Sequence, residues 1–98
     1  MSGIDLVKLG NENPRIASAR AVVELGNQVA SLLKRLRVES KLSQADMAAK
    51  LGVSQPRIAQ LESGKPDNLP SLEQIAEYAF YCGRSVTISE IVRERVKA

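Results

Sequence analysis

From Ile16 onward, apolar residues recur at intervals of three and four: Ile16, Ala19, Val22, Val23, Leu25, Val29, Leu32, Leu33 and Leu36. That spacing lines one side of an amphipathic helix. Asn13-Pro14 reads as its start, with Asn13 as the cap and Pro14 in the first turn, where a missing N–H costs nothing. Gly26-Asn27 falls inside the pattern, and a glycine there costs only about 1 kcal/mol relative to alanine. Two readings follow: one helix from about 14 to 38, or two helices meeting near Gly26. Residues 1–13 are weakly patterned and read as a flexible lead-in.

The pattern then shortens. Ser43 caps a short helix whose third residue on, Asp46, suits the positive helix end. Gly52 supplies the left-handed residue that ends this helix, and Ser54 caps the next, with Pro56 tolerated in its first turn. Gly64 ends that one. Met47, Ala48, Leu51, Val53, Ile58 and Leu61 supply the inward faces, and the small Ala48 permits a close crossing. Residues 43–64 therefore form a helix-turn-helix.

A loop over 67–70 leads to Ser71, which with Gln74 makes a capping box opening a further helix to about Tyr81. Its expected inward face is Leu72, Ile75, Ala76, Ala79 and Phe80. Tyr78 and Tyr81 share another face, read as a dimer or partner surface. Beyond Cys82-Gly83, the alternation of Ser85-Val86-Thr87-Ile88-Ser89 predicts a short strand. A lone strand exposes an unpaired edge. Val86 and Ile88 are accordingly assigned, with the two tyrosines, to dimer or partner contact. The organisation expected is a lead-in over 1–13, a helical domain over 14–83 and a strand with tail over 84–98.

Composition narrows the chemistry. The 98 residues include no histidine and one cysteine, Cys82. The commonest general base and metal ligand is missing, and no internal disulfide can form. With no acidic pair in a plausible pocket and no glycine-rich phosphate loop, an enzyme is the poorest class, and the reading calls for no catalytic residue, metal or cofactor. The N-terminal residues lack a basic-then-apolar signal and no apolar run is long enough to span a bilayer, so a cytoplasmic, nucleoid-associated protein without membrane contact is expected.

The net charge is only +3, but residues 34–65 hold seven basic side chains against three acidic ones, a net of +4. The remainder carries −1 in sum. A polyanion would be held through the middle third, and a solvated basic face explains the charge equally well. Lys34, Arg35 and Arg37 are open to both readings.

Leu42-Ser43-Gln44, the Ala48-to-Gln55 step ending Leu-Gly-Val-Ser-Gln, and Gln60-Leu61-Glu62-Ser63-Gly64-Lys65 together resemble the lambda-repressor and Cro superfamily of XRE-type helix-turn-helix proteins. The likeness runs from about 28 to 83. It implies an all-α, four- to five-helix lambda-repressor-like domain, here with the short C-terminal β-strand added. It also implies that the helix over 54–63 lies in the major groove. Carried over by position, Gln44 donates to a phosphate and braces Gln55, which reads a base, adenine through paired contacts to N6 and N7. Gln60 reaches a neighbouring base, and Arg57 reads guanine or binds phosphate. Pro56 replaces a residue that is often polar and packs on a thymine methyl. Ser54 contacts a phosphate or only caps, while Lys65 and, more weakly, Asn68 are phosphate contacts.

Outside that stretch, the Asn-Pro helix start, the Pro-Ser-Leu-x-x-Ile-Ala segment and the Gly-Arg-Ser-Val-Thr-Ile ending are similar to antitoxins of the HigA kind. This resemblance implies a homodimer on an inverted-repeat operator in double-stranded DNA, autorepression, and capture of a ribonuclease toxin. A phage-type or controller-type repressor with no toxin, or an interaction module of the same fold that does not bind DNA, are the competing classes.

Overall fold

The apolar repeat that begins at Ile16 folds as one uninterrupted helix. In the computed structural model, which describes residues 13–90, α1 spans Pro14–Glu39. The Asn13 side chain caps it by accepting from the Arg15 N–H at 2.8 Å, and Gly26 causes no break. Gly26 is instead a notch: a Cβ there would stand 2.6 Å from Leu69 Cδ2, so its bare backbone admits the loop that follows the helix-turn-helix. At the other end Lys41 takes a left-handed φ of 59°. This turn lets the Leu42 N–H reach back to the Arg37 carbonyl at 3.1 Å and closes the helix.

The next elements follow their local signals. Helix α2 (Gln44–Leu51) opens on a complete capping box, with Ser43 Oγ and the Asp46 carboxylate each accepting a backbone N–H at 2.9 Å. The bond from the Ser43 backbone lowers the Asp46 pKa below the usual carboxylate value. Gly52, at φ 72°, ends α2 in the left-handed conformation. Ser54 caps α3 (Gln55–Leu61) through a 3.2 Å bond from the Arg57 N–H. A single 3-10 turn, Pro66–Asn68, precedes α4 (Leu72–Tyr81), whose Ser71–Gln74 capping box is also complete.

These four helices close around Leu33, Met47, Ala48, Ile58, Leu61 and Tyr78, all buried, with Val29, Leu42, Leu51, Val53, Ile75 and Cys82 packed against them. Full burial of one such aliphatic side chain is worth about 1.5–3 kcal/mol. Helices α2 and α3 pack on each other, while α4 packs against both α1 and α2. The core thus sits behind α3 and leaves one side of that helix bare.

Three expectations need correction. The inward face of α4 is Ile75, Tyr78, Ala79 and Cys82, whereas Leu72 and Phe80 are 72% and 74% exposed and Ala76 is exposed too. Tyr78, expected on a partner surface, is fully buried, because a core partner satisfies its hydroxyl. Residues 85–89 adopt no regular secondary structure and no strand occurs among the described residues. Alternation marks a segment suited to pairing, and the described chain offers no edge to pair with. Val86 is half-buried and Ile88 exposed, and both line a shallow groove of about 350 Å³ with Leu72, Ile75 and Phe80.

The apolar face of α1 is also only partly used. Gly26, Ala30, Leu33 and Leu36 are buried, while Ile16, Val22, Val23 and Leu25 are exposed. None of the described helices is long and apolar enough to cross a membrane. The lead-in over 1–12 and the tail beyond Glu90 lie outside the described residues.

Candidate nucleic-acid interface

Helix α3 presents a short, uncharged ridge. Ile58 and Leu61 turn into the core, and the opposite side carries Gln55, Pro56, Ala59 and Gln60, all exposed. Gln55 stands in the first turn because Ser54 fixes the chain's entry into the helix. Pro56, the next residue, stiffens that turn without losing a helical bond. Arg57 is half-buried beside this ridge, and Ser54 is exposed with its oxygen engaged as a cap. Such a ridge offers amide groups that both donate and accept, which is the chemistry of base edges.

Around it lies a polar and cationic rim. Lys65 is exposed after the turn in which the Ser63 hydroxyl donates to the Gln60 carbonyl at 2.7 Å and accepts the Lys65 N–H at 3.2 Å. Asn68 is half-buried in the 3-10 turn. Gln44, in the first turn of α2, is half-buried with its oxygen 2.7 Å from the Gln55 amide nitrogen, which donates to it. The bracing contact implied by the resemblance is therefore present.

Behind the ridge is a feature that sequence reading missed. Glu62, the residue that closes α3, buries its carboxylate against three helices. Arg37 from α1 grips it with two bonds, Nε to Oε2 at 2.7 Å and Nη2 to Oε1 at 2.9 Å. A third Arg37 nitrogen donates to the Leu42 carbonyl at 2.9 Å. The Tyr78 hydroxyl donates to Oε2 at 3.1 Å. This charge-assisted, two-pronged pairing is the strong form of the hydrogen bond. It raises the Arg37 pKa, chiefly through the hydrogen bond to Glu62. Burial, reinforced by the Glu62 charge, pushes the Tyr78 hydroxyl well above the usual tyrosine value, so it stays a donor. No local pattern announces this network, since its partners lie 25 and 16 residues apart.

The network also revises the charge argument. Arg37 is 8% exposed and neutralised by Glu62, so it is no part of the cationic rim. Lys34, Lys41, Lys50 and Lys65 are exposed, as is Arg35, which stands 3.6 Å from Glu39. The partner surface expected at Tyr78, Tyr81, Val86 and Ile88 is not assembled as one face. Tyr78 is in the core, and Tyr81 lies under Lys50, whose ammonium is 5.6 Å from the ring centre.

Comparison with protein families matches residues 33–93, more than half of the 98, to a family described as helix-turn-helix. No curated protein and no solved structure matches the chain.

Proposed function

Because the chain belongs to the XRE, lambda-repressor-like helix-turn-helix family, whose members are DNA-binding regulators, we propose that it reads a specific operator through the exposed ridge of α3. The carrying observation is the exposed amide pair Gln55 and Gln60 on a helix whose other side is fully packed. Gln55 contacts adenine through its two amide atoms, Gln60 a neighbouring base, Arg57 guanine or a phosphate, and Pro56 a thymine methyl. Gln44, Ser54, Lys65 and Asn68 hold the phosphate backbone. A single module of this size buries little DNA, so a homodimer on two half-sites about 34 Å apart is the functional form.

The finer reading is an antitoxin that represses its own operon and binds a ribonuclease toxin, and it is favoured by the apolar groove along α4. Leu72, Phe80 and Ile88 are exposed there by 72%, 74% and 77%, an apolar concentration that suits a protein partner. The protein acts in the cytoplasm on nucleoid DNA.

Titration of the full chain at fixed salt tests the first part. Gln55→Ala and Gln60→Ala lower the preference for the selected duplex over scrambled DNA, whereas Lys65→Ala weakens both about equally. Equal losses for all three contradict base reading. Co-expression with the product of the adjacent open reading frame tests the second. A stoichiometric complex abolished by Phe80→Glu supports the antitoxin, and absence of any complex leaves a repressor alone.

A further inference from the structure

The groups that support Gln55 form an ordered line running back into the core. The Glu62 carboxylate, 3% exposed, receives Arg37 and Tyr78 on one side, and its Oε1 faces the Gln44 amide nitrogen at 3.5 Å. Gln44 Oε1 then accepts from the Gln55 nitrogen at 2.7 Å. The order of donors and acceptors along this line follows from its buried end. A carboxylate only accepts, and it repels a carbonyl oxygen. Gln44 must therefore turn its NH₂ toward Glu62 and its oxygen toward Gln55, and Gln55 must answer with its own NH₂. At 3.5 Å the Gln44–Glu62 bond is long, but the preference comes from the sign of a full charge in a partly buried setting and survives that distance.

We propose that Glu62 is a positioning residue for base recognition: its charge, held by Arg37 and Tyr78, fixes through Gln44 which end of the Gln55 amide is committed inward. What remains of Gln55 is one N–H and the carbonyl oxygen, in a set order. That pair matches the N7 acceptor and N6 donor of adenine. A neutral residue at 62 would let Gln44 reverse, and Gln55 with it, so a second base pattern would become acceptable at the same position. The inference rests on the base-reading role proposed for Gln55.

Selection from a randomised pool of double-stranded DNA by the full chain tests both claims separately. The wild type enriches one motif, and Gln55→Ala erases its preference at one base pair in each half-site. Glu62→Gln keeps the shape and removes the charge. Gln44→Met cuts the line outside the core and serves if Glu62→Gln does not fold. Each of the two relaxes the preference at that same base pair by about fivefold or more and keeps the base preference at the other positions; Gln44→Met also loses its phosphate contact and binds every sequence more weakly. A folded Glu62→Gln or Gln44→Met protein that keeps the full preference there, or that loses preference evenly at every position, overturns the positioning role while Gln55 remains a base reader. A wild type that enriches no motif, or a motif indifferent to Gln55→Ala, overturns the base-reading role and this inference together.

Discussion

Glu62 shows how a single side chain ties the fold to the face it presents. Its two oxygens collect donors from α1 and α4 and face one from α2, while its own backbone ends α3. The helix that carries the ridge is thus tied to three others at one point. The energetics of such a pair are asymmetric: a buried ion pair is weak evidence for stability, but half of one is costly. Arg37→Met should lower the unfolding free energy by about 3–5 kcal/mol, because the Glu62 charge is left buried without its counter-ion. Adding Glu62→Leu should restore the larger part of that loss. Urea denaturation of the single and double variants measures this, and a double variant no more stable than the single one would contradict it. The arginine was readable in sequence only as one cation among several. Its partner is 25 residues away, and nothing near either residue signals burial.

Among the elements, legibility follows the range of the forces involved. The α2–turn–α3 unit was readable because its inner boundaries are set by neighbours, Ser43 with Asp46, then Gly52 and Ser54, whereas α3 ends at Leu61, before the Gly64 expected to stop it. Helix α4 was readable in its ends but not in its rotation. Leu72, Ala76 and Phe80 look like a core stripe, yet the helix buries Ile75 and Tyr78, since a tyrosine whose hydroxyl finds a buried acceptor is as good a core residue as phenylalanine. Of the site, the Gln44–Gln55 contact was anticipated and the network behind it was not.

The two turn glycines differ in a testable way. Both are left-handed, at φ 72° and 76°, but a Cβ on Gly52 would meet open space, while one on Gly64 would press on Asn27 of α1. Gly52→Ala should cost about 1–2 kcal/mol from the backbone alone. Gly64→Ala should cost at least as much, since the Asn27 amide, the end of an exposed side chain, must also turn away. A Gly64→Ala variant that melts above Gly52→Ala would contradict this.

At the scale of the molecule, a net charge of +3 accompanies an uncharged reading ridge, several exposed cations elsewhere on the surface and one internal pair that contributes nothing outward. The same internal site sets an alkaline limit. The folded Tyr78 pKa is raised, so its contribution is complete below the tyrosine value of an unfolded chain, about 10, and is lost as pH climbs above it. The stability gap between the wild type and Tyr78→Phe should therefore stay constant from neutral pH to about 9 and shrink beyond about 10. Denaturation across that range reads it directly, and a gap that holds steady to pH 11 would mean the hydroxyl is not buried on Glu62.

The central claim is that the ridge of α3 is the face that meets DNA. A titration of the ¹⁵N-labelled chain with its selected duplex, followed by NMR, addresses it residue by residue. The side-chain amides of Gln55 and Gln60 and the backbone from Ser54 to Lys65 should shift most. Leu72, Phe80 and the first turns of α1 should stay in place beyond the general effect of slower tumbling. Shifts concentrated on α4 or on Ile16 to Leu25, with the α3 amides silent, would contradict the account.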